Sequence, residues 1–431
     1  MPTSSALFPP LVSRSCRIVN ALFVFCVSAL DISPDFRHAY QKRKPEKELK
    51  MTHRDLMSAW GVTLAGVTMN GVWAAETKPV EKPNIIFMMT DDQGYSDLSC
   101  YGSPDIKTPN LDRMAAEGVR FTDYYAAGAV WHLGVTPETL PTRQGFDSYF
   151  GMPGDNHGKG ELYRGTNIIE QAGKINISEL TQRYTIEAIE FITKSKDKPF
   201  FLYLPHGAPH APLYASKNFR GKSAAGLRGD CLEEVDWSVG QVLQRLKDLN
   251  LDEKTLVIYT SDNGKPGQQP PLRGSKGTTW EGGMRVPCIA RWPGTLPTGT
   301  LCSEMTVSFD WLPTLAALAG TAPPSDRKID GKDIWAVMCG KAQSPHDHFV
   351  YYNTAGVATA IRSGKWKLHM RPGASGKPTT ATGLYDLETD LGETNDVAQA
   401  HADVVKLLGE KLQQTDRMLT KEARPRFDEQ L

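Results

Sequence analysis

Three unbroken apolar runs mark the middle of the chain, and each stops at residues with carboxylate, amide or imidazole groups. Asn84-Ile85-Ile86-Phe87-Met88-Met89 gives way to Thr90-Asp91-Asp92-Gln93-Gly94. Pro199-Phe200-Phe201-Leu202-Tyr203-Leu204 leads to His206 and His210, and Thr255-Leu256-Val257-Ile258-Tyr259 leads to Ser261-Asp262-Asn263-Gly264. Continuous rather than alternating apolar runs predict strands covered on both faces of a parallel sheet. Between them the spacing turns helical. Thr108 and Pro109 introduce Leu111, Met114, Ala115 and Val119, and from 231 to 249 the apolar positions are Leu232, Val235, Val239, Val242, Leu243 and Leu246. Strand and helix in alternation predict an α/β fold, a mostly parallel central sheet flanked by helices, with one site at the carboxyl ends of its strands.

Beyond residue 345 the pattern changes. Short β-rich runs at 349–352, 357–362, 365–370 and 384–387 are separated by Gly, Asn and Ser turns, and 402–412 has helical spacing. A smaller C-terminal antiparallel sheet plus helix is expected. The division is therefore 1–75 as a leader, 76–345 as the α/β catalytic-type domain, and 346–431 as a small α+β domain.

The leader holds two apolar stretches. Residues 18–30 follow Arg14 and Arg17 and are too short to span a bilayer comfortably. A second stretch, 59–72, follows Met51, His53 and Arg54 and ends at Val72-Trp73-Ala74-Ala75, a fit to a small-residue cleavage site. Translation from Met51 and export to a periplasmic or extracellular location are the expectation, with no stable membrane span in the mature chain. Loss of the leader would leave Cys100, Cys231, Cys288, Cys302 and Cys339, an odd number, so at least one thiol is expected free.

Charge narrows the partners. The 431 residues carry 49 basic and 49 acidic side chains, a net charge of zero, so no broad field draws nucleic acid or anionic lipid. No CxxC pair suggests zinc. The chemistry must lie in local clusters.

Asp91 and Asp92 are adjacent, and in a strand adjacent side chains face opposite ways. Both reach one ion only where the backbone turns, which Gly94 permits. Asp262 and Asn263, followed by Gly264, repeat the arrangement. Each pair alone is also an ordinary cap or turn; their matched positions after two buried strands point instead to a shared cation. An all-oxygen set favours calcium or magnesium over zinc. Lys276, in Arg273-Gly274-Ser275-Lys276-Gly277, is either an anion contact or a solvated loop lysine. His210, in Ala208-Pro209-His210-Ala211-Pro212, is either a proton donor or a structural histidine, and His132, in Trp131-His132-Leu133-Gly134, is open in the same way.

Taken together, these segments resemble the sulfatase family of the alkaline-phosphatase-like superfamily, of the arylsulfatase and N-acetylgalactosamine-6-sulfatase type. The resemblance runs from Pro83 to about Val397. It adds Thr108-Pro109-Asn110-Leu111-Asp112, Gly145-Phe146-Asp147, Lys276-Gly277-Thr278-Thr279 through Glu281-Gly282-Gly283, and Leu384-Tyr385-Asp386-Leu387 to the motifs already quoted. It implies a calcium ion on Asp91, Asp92, Asp262 and Asn263. It also implies Lys276 and His210 on the sulfate ester, His210 protonating the leaving alcohol, and His132 acting on the nucleophile's hydroxyl. The implied partner is a sulfated carbohydrate or aryl sulfate.

One departure is large. The family's nucleophile is a formylglycine made from a cysteine in Cys-x-Pro-Ser-Arg or a close variant, followed several dozen residues later by Gly-Lys before Trp-His-Leu-Gly. Here Ala126-Ala127-Gly128-Ala129-Val130 runs straight into Trp131, and no cysteine has Pro or Ala two residues on with Arg four on. Thr139-Leu140-Pro141-Thr142-Arg143 has the right Pro and Arg, but threonine does not yield formylglycine. The expectation is a sulfuric ester hydrolase by descent that has lost most turnover, by the order of 10⁶ that removal of a nucleophile costs in subtilisin. The alternative is a calcium-dependent binder of sulfated glycans. A phosphatase or phosphodiesterase is disfavoured, since such sites usually carry two metals and more histidine ligands.

Overall fold

The structure is a computed structural model that describes residues 81–127, 136–153, 160–373 and 378–422. The leader, His132 and the junction between Val130 and Trp131 lie outside the described residues.

The strands and helices that place the site are, in order, β1 (Asn84–Thr90), α1 (Pro109–Ala116), β2 (Val119–Phe121), α2 (Leu180–Ser195), β3 (Phe201–His206), α3 (Gly226–Asp248), β4 (Thr255–Ser261), β5 (Cys288–Arg291), β6 (Thr300–Cys302) and α4 (Trp311–Leu318). The six strands form one sheet in the order β6-β2-β5-β4-β1-β3. β1 is parallel to both β3 and β4, and β6 is parallel to β2. Only β5 runs antiparallel to its two neighbours. The sheet is thus mostly parallel, as its apolar runs imply.

Both faces of β1 and β4 are covered. Ile86, Met88, Val257 and Tyr259 pack with Leu111 and Met114 of α1, Ala188 and Ile192 of α2, and Val235 and Val239 of α3. Ile85, Leu256 and Ile258 face the other way, against Trp311 and Leu315 of α4. Each such side chain contributes about 1.5–3 kcal/mol on burial, so a strand with two apolar faces is held in the middle of the sheet.

At the C-terminal end, β7 (Phe349–Tyr352), β8 (Ala358–Ser363), β9 (Trp366–Pro372) and β10 (Pro378–Asp386) form an antiparallel sheet in sequential order. Ile361, Leu368 and Leu384 pack against Leu408 and Leu412 of α5 (Ala402–Glu422). β10 begins six residues before the apolar signal at Leu384, because Pro378 to Gly383 includes no large apolar side chain to mark it. A small sheet of Phe150–Gly151, Leu162–Arg164 and Asn167–Glu170 has no clear sequence signal, its strands being two to four residues long.

Cys100, Cys231, Cys288, Cys302 and Cys339 are all free thiols. Among the described residues no helix is long and apolar enough to cross a membrane.

Candidate functional site

The site follows from strand register. β1 and β4 pair so that Thr90 lies opposite Ser261, and β1 and β3 pair so that Thr90 lies opposite His206. The residues just past these strands, Asp91, Asp262 and the segment leading to His210, therefore emerge together at one edge of the sheet. Main-chain bonds continue the pairing: Asp262 N donates to Thr90 O at 3.1 Å and Asp91 N to Ala208 O at 3.2 Å.

At Asp92 the chain leaves the strand with φ of 67°. This left-handed conformation is unusual for a residue with a side chain and costs about 1–3 kcal/mol where the surroundings impose it. It turns Asp92 to the same side as Asp91, as convergence on one ion requires. Asp92 N donates to Asp262 Oδ1 at 2.9 Å, and Asn263 Nδ2 donates to Asp92 Oδ1 at 2.7 Å. The turn after β4 needs Gly264, because a Cβ there would sit 1.8 Å from the carbonyl oxygen of Gly282.

Asp91, Asp92 and Asp262 are all nearly inaccessible to solvent. Burial, then the charges of Asp262 and Asp92, push the Asp91 carboxyl up to about 9. Burial and the Asp92 charge push Asp262 up to about 7, against hydrogen bonds from main-chain N–H groups. Three acids repelling one another in a water-poor pocket are the donor set that a divalent cation relieves. Asp91, Asp92, Asp262 and Asn263 are the residues whose oxygen atoms could hold a hard cation.

Lys276 reaches the cluster from its glycine-rich loop, with Nζ 2.5 Å from Asp92 Oδ1. Burial opposes its charge, but the hydrogen bond to Asp92 and the three nearby carboxylates outweigh it and raise the ammonium's pKa. His210 is there too. Its Nδ1 is bonded to the Ala211 carbonyl, which only accepts, so that nitrogen carries the proton. Nε2 then faces Asp92 Oδ2 at 3.7 Å. Ligating atoms of Asp91, Asp92 and His210 lie within 4.8 Å of one another. Six of the seven candidate residues are thus brought together, and His132, the seventh, lies outside the described residues.

The Lys276 loop is fixed from the C-terminal sheet, a feature the sequence did not disclose. Glu393 Oε2 accepts from Glu281 N at 2.7 Å, and Arg273 Nη1 donates to Glu393 O at 2.8 Å. Lys367 of β9 pairs with Glu281 at 2.7 Å and with Glu393 at 3.0 Å, all three side chains being fully buried. Trp280 stacks on His369 of β9 with ring centroids 3.9 Å apart. Burial disfavours the Glu281 charge, but Lys367 and Arg285 hold its carboxyl well below the usual range.

The sulfatase family model matches residues 83–130 and 129–321, and the C-terminal part of N-sulphoglucosamine sulphohydrolase matches 275–418. The N-acetylgalactosamine-6-sulfatase of Canis lupus familiaris is 34% identical over 379 residues, covering 67% of this chain and 72% of its own. This chain belongs to the sulfatase family. Arylsulfatase A of Homo sapiens is 32% identical over 430 residues, covering 74% of this sulfatase-family chain and 84% of its own. Among solved structures, Ps i-CgsB in complex with k-i-k-neocarrahexaose superposes with a TM-score of 0.67 at 25% identity, over 81% of this chain and 99% of that one. A protein of the Bacteroides thetaiotaomicron locus for metabolism of multiple glycosaminoglycans shares the fold, with a TM-score of 0.70 at 23% identity over 78% and 100% of the two chains. The family match falls into two pieces that meet at residues 129–130, where the sequence runs from Val130 straight into Trp131. The alignment to the canine sulfatase uses 379 positions on 67% of a 431-residue chain, so that relative carries many residues with no counterpart here.

Proposed function

We propose that this chain captures the sulfate ester of a sugar at a calcium site and does not hydrolyse it at a sulfatase's rate. Asp91, Asp92, Asp262 and Asn263 are the residues that would hold calcium, whose charge would neutralise sulfate oxygens. Lys276 supplies a second cation to the same oxygens. His210, when protonated at Nε2, donates to the ester oxygen. His132 is the residue the family resemblance assigns to the nucleophile's hydroxyl. The nucleophile is missing from the sequence, and with it the family's covalent chemistry.

The observation that carries this reading is the convergence of Asp91, Asp92, Asp262 and Asn263 with Lys276 and His210 on one strand edge. The sugar class rests on relatives and neighbours named as an N-acetylgalactosamine-6-sulfatase, a complex with k-i-k-neocarrahexaose and a complex with the substrate D-glucosamine-2-N,6-O-disulfate. Residues 1–75 are read as a leader that directs export. Hydrolysis of 4-nitrocatechol sulfate in excess calcium tests the loss of turnover. The chain should show none above background, and a version with a family segment containing Cys-x-Pro-Ser-Arg restored between Val130 and Trp131, with the cysteine converted, should gain it. Turnover by the unaltered chain, or none by the restored and converted one, would overturn the proposal.

A further inference from the structure

The left-handed turn at Asp92 is held by residues that the resemblance does not assign. Arg228, in the first turn of α3, donates from Nη2 to the Asp92 carbonyl at 2.6 Å. The same nitrogen donates to Asp97 Oδ2, also at 2.6 Å. Asp97 Oδ2 further accepts from Gly94 N at 3.0 Å, while Asp97 Oδ1 pairs with Lys265 Nζ at 2.8 Å. Lys265 in turn accepts at its main-chain oxygen from Lys276 N at 3.0 Å. One buried carboxylate thus ties two cations, and through them three segments: the turn after β1, the start of α3, and the loop that carries Lys276. Burial would raise the Asp97 carboxyl, but Arg228 and Lys265 outweigh it and keep it ionised.

The connection matters because the ligands are adjacent in sequence. Asp91 and Asp92 face one ion only while Asp92 stays left-handed, and its two main-chain polar groups are held from opposite sides, N–H by Asp262 and C=O by Arg228. We propose that Asp97, Arg228 and Lys265 form a positioning unit that keeps Asp92 turned towards the cation and thereby sets the affinity of the site. This rests on the reading of Asp91 and Asp92 as calcium ligands. Partners that orient metal ligands in this way typically change metal affinity by about 10- to 100-fold when removed.

Calorimetric titration of calcium into the metal-free full chain and its variants is the test. Arg228→Ala should weaken the calcium dissociation constant by about 10-fold or more. Arg228→Lys should recover part of the loss, since an ammonium keeps the charge but not the rigid planar guanidinium that aims Nη2 at both acceptors. Ile192→Val, a core change in α2, should lower the urea midpoint and leave calcium affinity alone, which separates positioning from general destabilisation. Calcium affinity of Arg228→Ala within twofold of the parent chain would overturn the proposal. If that variant does not fold, Arg228→Lys decides by the same criterion. A parent chain that takes up no calcium would instead remove the reading of the ligands, and the positioning role with it.

Discussion

Asp91 and Asp262 lie side by side because Thr90 of β1 is paired in register with Ser261 of β4. The two acids are separated by 171 positions in sequence, and the parallel pairing of two buried strands brings them together. Their mutual repulsion is therefore built into the sheet. Asp262→Asn keeps an oxygen to accept from Asp92 N while removing one charge. The metal-free variant should melt no lower than the parent chain, yet lose the rise in melting temperature that calcium gives the parent. Thermal melts with and without calcium check both signs, and a calcium response that survives the substitution would contradict the assignment.

Lys276 Nζ lies 2.5 Å from Asp92 Oδ1, so on the proposed reading it would compete there with a cation and also contact an anionic ligand. Lys276→Met should accordingly move two affinities in opposite directions. Calcium should bind more tightly, and a sulfated sugar about 10-fold or more weakly, the loss expected of one hydrogen bond to a charged group. Calorimetry with each ligand separately reads the two effects. Weakening of both would mean that Lys276 only props up the loop.

Glu393, in the loop after β10, anchors the Lys276 loop while fully buried against Lys367 and His369. Glu393→Gln leaves the Lys367 ammonium with Glu281 alone and should cost about 3–5 kcal/mol of stability, the range for breaking a buried ion pair. Urea denaturation measures it. A loss below about 1 kcal/mol would show that the network is solvated in solution.

His206 gives the clearest pH dependence. The last residue of β3 and fully buried, it is pushed down to about 4 by burial, from an ordinary 6.5. A histidine whose folded value is depressed contributes stability that is complete above about 6.5 and is lost as pH falls towards 4, because the unfolded chain takes up the proton first. The full effect is about 3 kcal/mol. Urea midpoints of the chain and of His206→Gln, compared between pH 7 and pH 4, should converge as the pH falls. A constant gap would contradict the burial argument.

The three central strands, the helices around them and the placement of Asp91, Asp92, Asp262 and Asn263 just past two of those strands were legible because each signal is local. A continuous apolar run bounded by turn residues reads as a buried strand, whereas the pairing of β1 with β4 is set by tertiary structure. Arg228, Asp97 and Lys265 were not legible, since their roles depend on bonds to main-chain and side-chain atoms more than a hundred residues away. Glu393 was hidden for the same reason: a loop acid between Gly392 and Thr394 gives no hint of complete burial. His206 ends β3, as its polar position after the apolar run implies, but its complete burial, with Nε2 3.3 Å from Ser238 Oγ of α3, was not legible. Strand ends are set by tertiary packing as much as by the residues themselves.

Calcium-dependent capture of a sulfate ester is the claim on which the rest depends. Calorimetric titration of N-acetylgalactosamine 6-sulfate into the full chain, once with calcium and once with chelator, tests it most directly. The account predicts saturable heat with calcium and none with chelator, and none with unsulfated N-acetylgalactosamine under either condition. Equal heats with and without calcium, or no heat at all, would contradict it.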